Sequence, residues 1–188
     1  MEDEIIIDLD KDFKIIAITA PDFIENEEMR VMKILQNGEA HFVHIRKPSA
    51  SMDEVKAFLR KIDSEFYPLL KLHDHFELLK DFPLGGVHIN SRNPVSPANS
   101  LSVSVSAHSI EELEQWKDKD YVFLSPIFNS ISKPGYLSAF TIEELKLALK
   151  NHHNVIALGG VTPDKFPLLK QIGFSGAAML GHFQQPLQ

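Results

Sequence analysis

Eight short apolar runs, each set off from the next by an amphipathic or turn-rich stretch, constrain this chain more than any other feature. They are Lys14–Thr19, Phe42–Ile45, Leu69–His73, Gly86–Ile89, Leu101–Ser106, Tyr121–Leu124, Val155–Leu158 and Ala177–Leu180. Several are apolar at successive positions, as in Val155-Ile156-Ala157-Leu158. That is the pattern of parallel strands covered on both faces. Helix starts fall between the runs. Ser51-Met52-Asp53-Glu54 spells a capping box, in which serine and glutamate satisfy each other's free backbone N–H groups. Ser109-x-x-Glu112 and Thr141-x-x-Glu144 repeat it, and Thr162-Pro163 places a capping threonine before a proline at the first helical position. Unbroken strand–helix alternation implies a parallel sheet, and eight units imply closure. The expected fold is α/β, a single compact (β/α)8 TIM barrel over 1–188, with 1–13 as an N-terminal extension.

Barrels of this kind usually take about 250 residues and rarely fewer than about 200, whereas this chain has 188. Short loops must absorb the difference. Asn90–Ser100, rich in Ser, Asn and Pro, has no room for a full helix. The chain also ends soon after the eighth run, so the last helix is expected to be truncated. Ile5-Ile6-Ile7 is read as an extra strand or an arm.

The net charge of −7 argues against nucleic acid as a partner, because binding a phosphate backbone needs a basic face. A local basic pocket for a small anion is compatible with it. Cysteine is absent, which removes disulfides and thiolate metal sites. The acidic start Met1-Glu2-Asp3-Glu4 lacks a basic flank, and no apolar run approaches 18 residues. A cytoplasmic protein with no membrane partner is expected. Exposed helix faces on a short barrel suit a homodimer.

In such a barrel the carboxyl ends of the strands carry the site. Here they read His44-Ile45-Arg46-Lys47, His73-Asp74-His75, His88-Ile89-Asn90, Ser106-Ala107-His108, Ser125 through Lys133, Gly159-Gly160 and Leu180-Gly181-His182. Glycine lets an anion approach backbone N–H groups, and the loops after strands seven and eight are the usual phosphate site. Gly159, Gly160 and Gly181 are therefore candidate phosphate ligands. Ser130-x-Ser132-Lys133 offers two hydroxyls and an ammonium to a diphosphate, although such stretches are more commonly plain polar loops. Arg46 suits bidentate contact with an anion. Asp74 is a candidate Mg2+ ligand, or the trio His73-Asp74-His75 a transition-metal site, against a plain hydrogen-bonded cluster. Ser102, Ser104 and Ser106 alternate with apolar residues, which sends all three to one face, toward the barrel axis.

These residues resemble the thiamine phosphate synthase/TenI family across about Lys14 to Phe183. The motifs that carry the likeness are Gly86-Val87-His88, Ser125-Pro126-Ile127-Phe128 followed by Ser130-x-Ser132-Lys133, and Ala157 through Pro163 with Gly173-x-x-Gly176. The resemblance implies a barrel enzyme of thiamine biosynthesis that couples hydroxymethylpyrimidine diphosphate to thiazole phosphate and releases diphosphate. It implies catalytic roles for Arg46, Ser130, Ser132 and Lys133. It implies substrate contacts at His44, Lys47, His73, Ser106, His108, Gly159, Gly160, Leu180 and Gly181, and Mg2+ at Asp74.

The sequence departs from the family pattern in one half of the site. In the Gln-x-Arg-x-Lys motif His44 replaces Gln and Pro48 replaces Lys, with Lys47 one place early as a substitute. His73 and His75 flank Asp74 where the family has Asn and Arg. Asn93 stands where a second Mg2+ carboxylate is expected, which lowers the expected affinity. A histidine-rich site suits proton transfer near neutral pH, as a TenI-type thiazole tautomerase needs. The synthase is the leading reading because a tautomerase has no use for a diphosphate clamp. A metal-dependent hydrolase built on His73-Asp74-His75 is a third enzyme reading. A non-catalytic thiazole-phosphate or thiamine-phosphate binding protein is the reading from outside the enzymes.

Overall fold

The computed structural model describes residues 12–128 and 140–180. Ile5-Ile6-Ile7, expected as an extra strand or an arm, lies outside them. Eight parallel strands close into a barrel in chain order. They are β1 Lys14–Ile18, β2 Phe42–Ile45, β3 Leu70–Leu72, β4 Gly86–Ile89, β5 Val103–Ala107, β6 Tyr121–Leu124, β7 Val155–Leu158 and β8 Gly176–Met179. Closure is made by β1 against β8, with Lys14 opposite Gly176 and Ala17 opposite Met179. Strands are placed as expected, with ends differing by one or two residues. Leu101 stays outside β5 because it is largely exposed, and the strand starts where the Val103 N–H donates to Asp120.

The helices are α1 Glu27–Gln36, α2 Met52–Leu59, α3 Ile110–Gln115, α4 Ile142–Leu149 and α5 Phe166–Ile172. Both capping boxes at Ser51/Glu54 and Thr141/Glu144 form in full. Ser51→Ala is expected to cost about 1 kcal/mol, a typical value for a lost N-cap, read as a shift of the urea midpoint. The other two starts differ from expectation. Ser109 caps α3 by accepting from the Glu112 N–H, but the Glu112 carboxylate turns to the His108 N–H instead of closing the box. Thr162 precedes a single 3-10 turn, Pro163–Lys165, and makes no side-chain cap, because its hydroxyl engages Asp164. After β3 there is only a 3-10 turn, Phe76–Lys80, and the loop after β4 holds no helix. These short connections let 188 residues close a barrel.

Apolar packing is divided by the pleat. Outward residues such as Val43, Ile45, Leu72, Val87, Val105 and Ala157 pack under the helices. Inside the barrel Ile16, Ile18, Tyr121, Phe123, Ile156 and Ala178 form a second cluster. Gly86 is one of the positions that admit only glycine. At Gly86 φ is +149°, and a Cβ would stand 2.1 Å from the Ser102 carbonyl oxygen. This is how closely β4 approaches the segment entering β5. Among the described residues, no helix is long and apolar enough to cross a membrane.

Candidate active site

The inward half of the pleat is unusually polar on one side of the barrel. His44, His73, His88 and Ser104 are all buried there. His44 sits between His73 and Tyr121, with Nδ1 at 2.8 Å from His73 Nε2 and Nε2 at 2.6 Å from the Tyr121 hydroxyl. His88 lies between two serines of β5, 3.0 Å from both Ser104 Oγ and Ser106 Oγ. The alternation of serines thus faces inward, as expected. Burial holds all three imidazoles below their usual pKa, with His88 near 3. They are neutral at pH 7. Lower in the barrel, Lys71 bonds to Ser102 Oγ, stands over the Phe42 and Tyr121 rings, and is brought down to about 8 by burial.

The three histidines offer nitrogens within 4.8 Å of one another, close enough to invite a metal. Their orientation opposes it. His73 and His88 are stacked, with centroids 4.2 Å apart and planes at 17°. An imidazole binds a metal in its own plane, and two stacked rings cannot both aim at one ion. Both nitrogens of His44 and of His88 are also already bonded. The arrangement is a hydrogen-bonded core.

Above this core, at the carboxyl ends of the strands, opens a cavity of about 630 Å³. Arg46, His73, His88, Ser106, His108 and Leu180 line it, with Ile18, Phe123 and Leu158 as apolar floor and wall. Five expected contact residues, Arg46, His73, Ser106, His108 and Leu180, are therefore brought together. Among the described residues no carboxylate pairs with the Arg46 guanidinium. His108 Nδ1 is 3.2 Å from the Ser125 carbonyl.

Three expected site residues are placed elsewhere. Lys47 points away from the mouth and under α1, where it is 1% exposed. Its ammonium donates to Glu27 Oε2 at 2.6 Å and to the Ala20 and Asp22 carbonyls at 2.8 Å each. It is committed to holding the loop after β1, so it cannot replace the lysine missing at Pro48. His44 lies wholly beneath the cavity, since as an inward residue of β2 it sits one pleat repeat below Arg46. His75 adopts a left-handed backbone, and its Nε2 is 2.7 Å from the Ala50 carbonyl. His73, Asp74 and His75 consequently point three ways, and no transition-metal trio forms.

Asp74 and Asn93 do meet, with the Asn93 amide 3.0 Å from Asp74 Oδ1. The same carboxylate accepts Arg92 Nε at 3.1 Å and Nη2 at 2.9 Å. The Asn90 side-chain oxygen is taken by the Arg92 and Asn93 N–H groups. One carboxylate already shared by a guanidinium and an amide does not fit Mg2+, which demands a near-octahedral shell of oxygens. Arg92 and Tyr121 are the residues that sequence reasoning missed. Tyr121 was detectable by its period-two spacing from Phe123. Arg92 had no periodic signal; its only mark was a cation next to Asn93 in a loop facing Asp74.

After β7, Gly159 has φ +93°, and a Cβ there would stand 2.9 Å from Pro126 Cα. The Ile127 N–H donates to Leu158 and the Phe128 N–H to Gly159, which ties the loop after β6 to the loop after β7. Lys165 donates to the Gly160 carbonyl and lies 4.7 Å over the Phe128 ring. Ser130, Ser132, Lys133 and Gly181 lie outside the described residues.

Comparison with known proteins places the sequence with a family model. The family model described as thiamine monophosphate synthase matches residues 15–183. The thiamine-phosphate synthase of Dictyoglomus turgidum is 26% identical over 189 residues, covering 93% of this chain and 84% of the relative. The crystal structure of a thiamine phosphate pyrophosphorylase from Bacteroides thetaiotaomicron is 35% identical and superposes with a TM-score of 0.80, covering 90% of this chain and 83% of that one. A thiamine phosphate pyrophosphorylase from Pyrococcus furiosus, at 21% identity and a TM-score of 0.70, shares the fold over 90% of this chain and 86% of its own. The barrel, its cavity at the strand ends and a match running from β1 past β8 lead to one conclusion: this chain belongs to the thiamine monophosphate synthase family.

Proposed function

We propose that this protein is a thiamine-phosphate synthase that couples hydroxymethylpyrimidine diphosphate to a thiazole phosphate and releases diphosphate. The observation that carries the reading is the cavity at the strand ends, where Arg46 has no acidic partner among the described residues in a chain of this family. In this reaction the bond from the pyrimidine methylene carbon to diphosphate breaks, and diphosphate keeps the electron pair. The thiazole nitrogen then donates its lone pair to that carbon. No proton needs to move, so the protein's task is positioning and charge stabilisation.

Arg46 receives the anionic group. Ser106 donates a hydroxyl held at a fixed angle by His88 Nε2, 3.0 Å away. A neutral His88 also keeps the floor free of positive charge that would repel the developing pyrimidine cation. Phe123, Leu158 and Ile18 exclude the water that would otherwise capture that cation. The loop after β7, with Gly159 pressed against Pro126, supports the end of the cavity proposed for the thiazole phosphate.

The test is direct. The protein is mixed with both substrates, and diphosphate and thiamine phosphate are followed together. Stoichiometric appearance of both is expected, and Arg46→Ala should reduce kcat/KM about a hundredfold, as for loss of one transition-state donor. No product above background at high enzyme would sink the proposal. Isomerisation of a thiazole carboxylate phosphate in its place would assign the site to a tautomerase.

A further inference from the structure

We propose that Arg92, fixed by Asp74, supplies the second positive charge at the mouth of the barrel, so that this protein binds a diphosphate group without a divalent cation. The inference rests on the reading of the cavity as a diphosphate site.

Asp74 follows β3, and its carboxylate is 10% exposed, while Arg92, in the loop after β4, is 46% exposed and lines the cavity with Arg46. Asp74 Oδ1 accepts both Nε and Nη2 of Arg92, and Oδ2 accepts Nη2 at 3.2 Å. Asn93 adds a third N–H donor to Oδ1. Oδ1 so used has no lone pair left for a cation, and a cation at Oδ2 would sit against the guanidinium that Oδ2 also meets. The guanidinium has five N–H donors in a rigid fork, and Asp74 engages only its Nε and Nη2 side. Nη1 has no partner among the described residues.

Charge points the same way. Arg46 and Arg92 against Asp74 leave this corner at +1, without any ion. A metal bound at Asp74 would first have to displace Arg92 and would find Asn93, neutral, as its neighbour. Arg92 is also preorganised. A side chain already locked by a bidentate contact loses less freedom on meeting an anion. The loop is itself anchored, because Asn90 donates to the His73 carbonyl at 2.6 Å and accepts from the Arg92 N–H at 2.9 Å.

The experiment is calorimetric titration of the full chain with inorganic pyrophosphate, once in EDTA and once in excess Mg2+, with Mn2+ binding followed separately by electron paramagnetic resonance. Expected are dissociation constants that agree within about threefold in the two buffers, and no tight Mn2+ site. Arg92→Ala should weaken pyrophosphate binding in EDTA about tenfold, the value of one charge-assisted contact. Asp74→Asn separates the two ideas. If the metal were essential it would abolish binding, whereas here it should weaken binding by no more than about threefold, because the looser anchoring of Arg92 is offset by the negative charge removed. Circular dichroism melts of both variants check that they fold.

Binding that disappears in EDTA and returns with Mg2+ would overturn the proposal, as would no binding in either buffer or an Arg92→Ala variant that binds like the parent. Pyrophosphate binding is read without turnover. If it is metal-independent but no thiamine phosphate forms, the synthase reading fails alone. If thiamine phosphate forms only with Mg2+ and pyrophosphate binding needs it too, this proposal fails alone.

Discussion

Acidification from pH 7 to about 5 is expected to destabilise this barrel strongly, through its inward histidines. In the unfolded chain each imidazole takes up a proton near pH 6.5, but in the barrel burial holds His44 and His73 well below that value and His88 near 3. Above about pH 7.5 both states are neutral and the three groups contribute no slope. Below about pH 6 the unfolded chain binds more protons than the folded one, so stability falls as pH falls. Each imidazole contributes roughly tenfold in the folding constant per pH unit, and three together roughly a thousandfold. Glu27, whose carboxyl is raised by burial, opposes this trend as a single group. The geometry explains why the rings resist charge. His44 already has one partner on each nitrogen, His73 and Tyr121, and burial holds the Tyr121 hydroxyl above its usual range, so it cannot become a counter-ion. Urea midpoints measured from pH 4.5 to 8 should show the slope, and His44→Gln should reduce it by about a third. A flat profile would mean that the rings are solvated and charged in the folded state.

The second large effect concerns Glu27 beneath α1. Glu27→Ala is expected to cost about 3–5 kcal/mol, because it leaves the Lys47 ammonium buried without its bonded carboxylate. Burial raises the Glu27 carboxyl and lowers the Lys47 ammonium, each only partly offset by the other. The Ala20 and Asp22 carbonyls, the Phe23 and Phe58 rings, 4.7 Å and 5.9 Å from Nζ, and the field of the Asp22 carboxylate would remain, none of them an ion-paired partner. The pair has little net worth against an apolar replacement of similar volume. The double variant Glu27→Leu, Lys47→Met should therefore recover much of the loss. A double-mutant cycle by urea denaturation measures this. Equal destabilisation of the single and the double variant would show that packing, and not charge, was lost.

Much of this molecule could be read before its structure. The strands were legible because a parallel strand covered on both faces needs uninterrupted apolar residues. The capped helix starts at Ser51 and Thr141 were legible because capping is local, depending on residues three apart. Thr162 and Pro163 take the N-cap and first helical positions for the same reason, but a competing partner two residues on, Asp164, takes the Thr162 hydroxyl. Lys47 was misjudged because its fate depends on Glu27 and on the carbonyls of Ala20 and Asp22, about twenty or more positions away. Sequence spacing at the end of β2 cannot report which side of the barrel wall a four-carbon side chain will follow.

What the sequence by itself determined is the closed α/β barrel and the ring of chemical residues at its strand ends, because period-two alternation and strand–helix order are properties of neighbours along the chain. What only the tertiary structure decided is which of those residues share a site. Barrel closure brings β2, β3, β4 and β6 together so that His44, His73, His88 and Tyr121 become one buried network. It also sets the loop after β4 across from β3, so that Asp74 meets Arg92. Such pairings arise between segments far apart in sequence, and only the register of the closed sheet determines them.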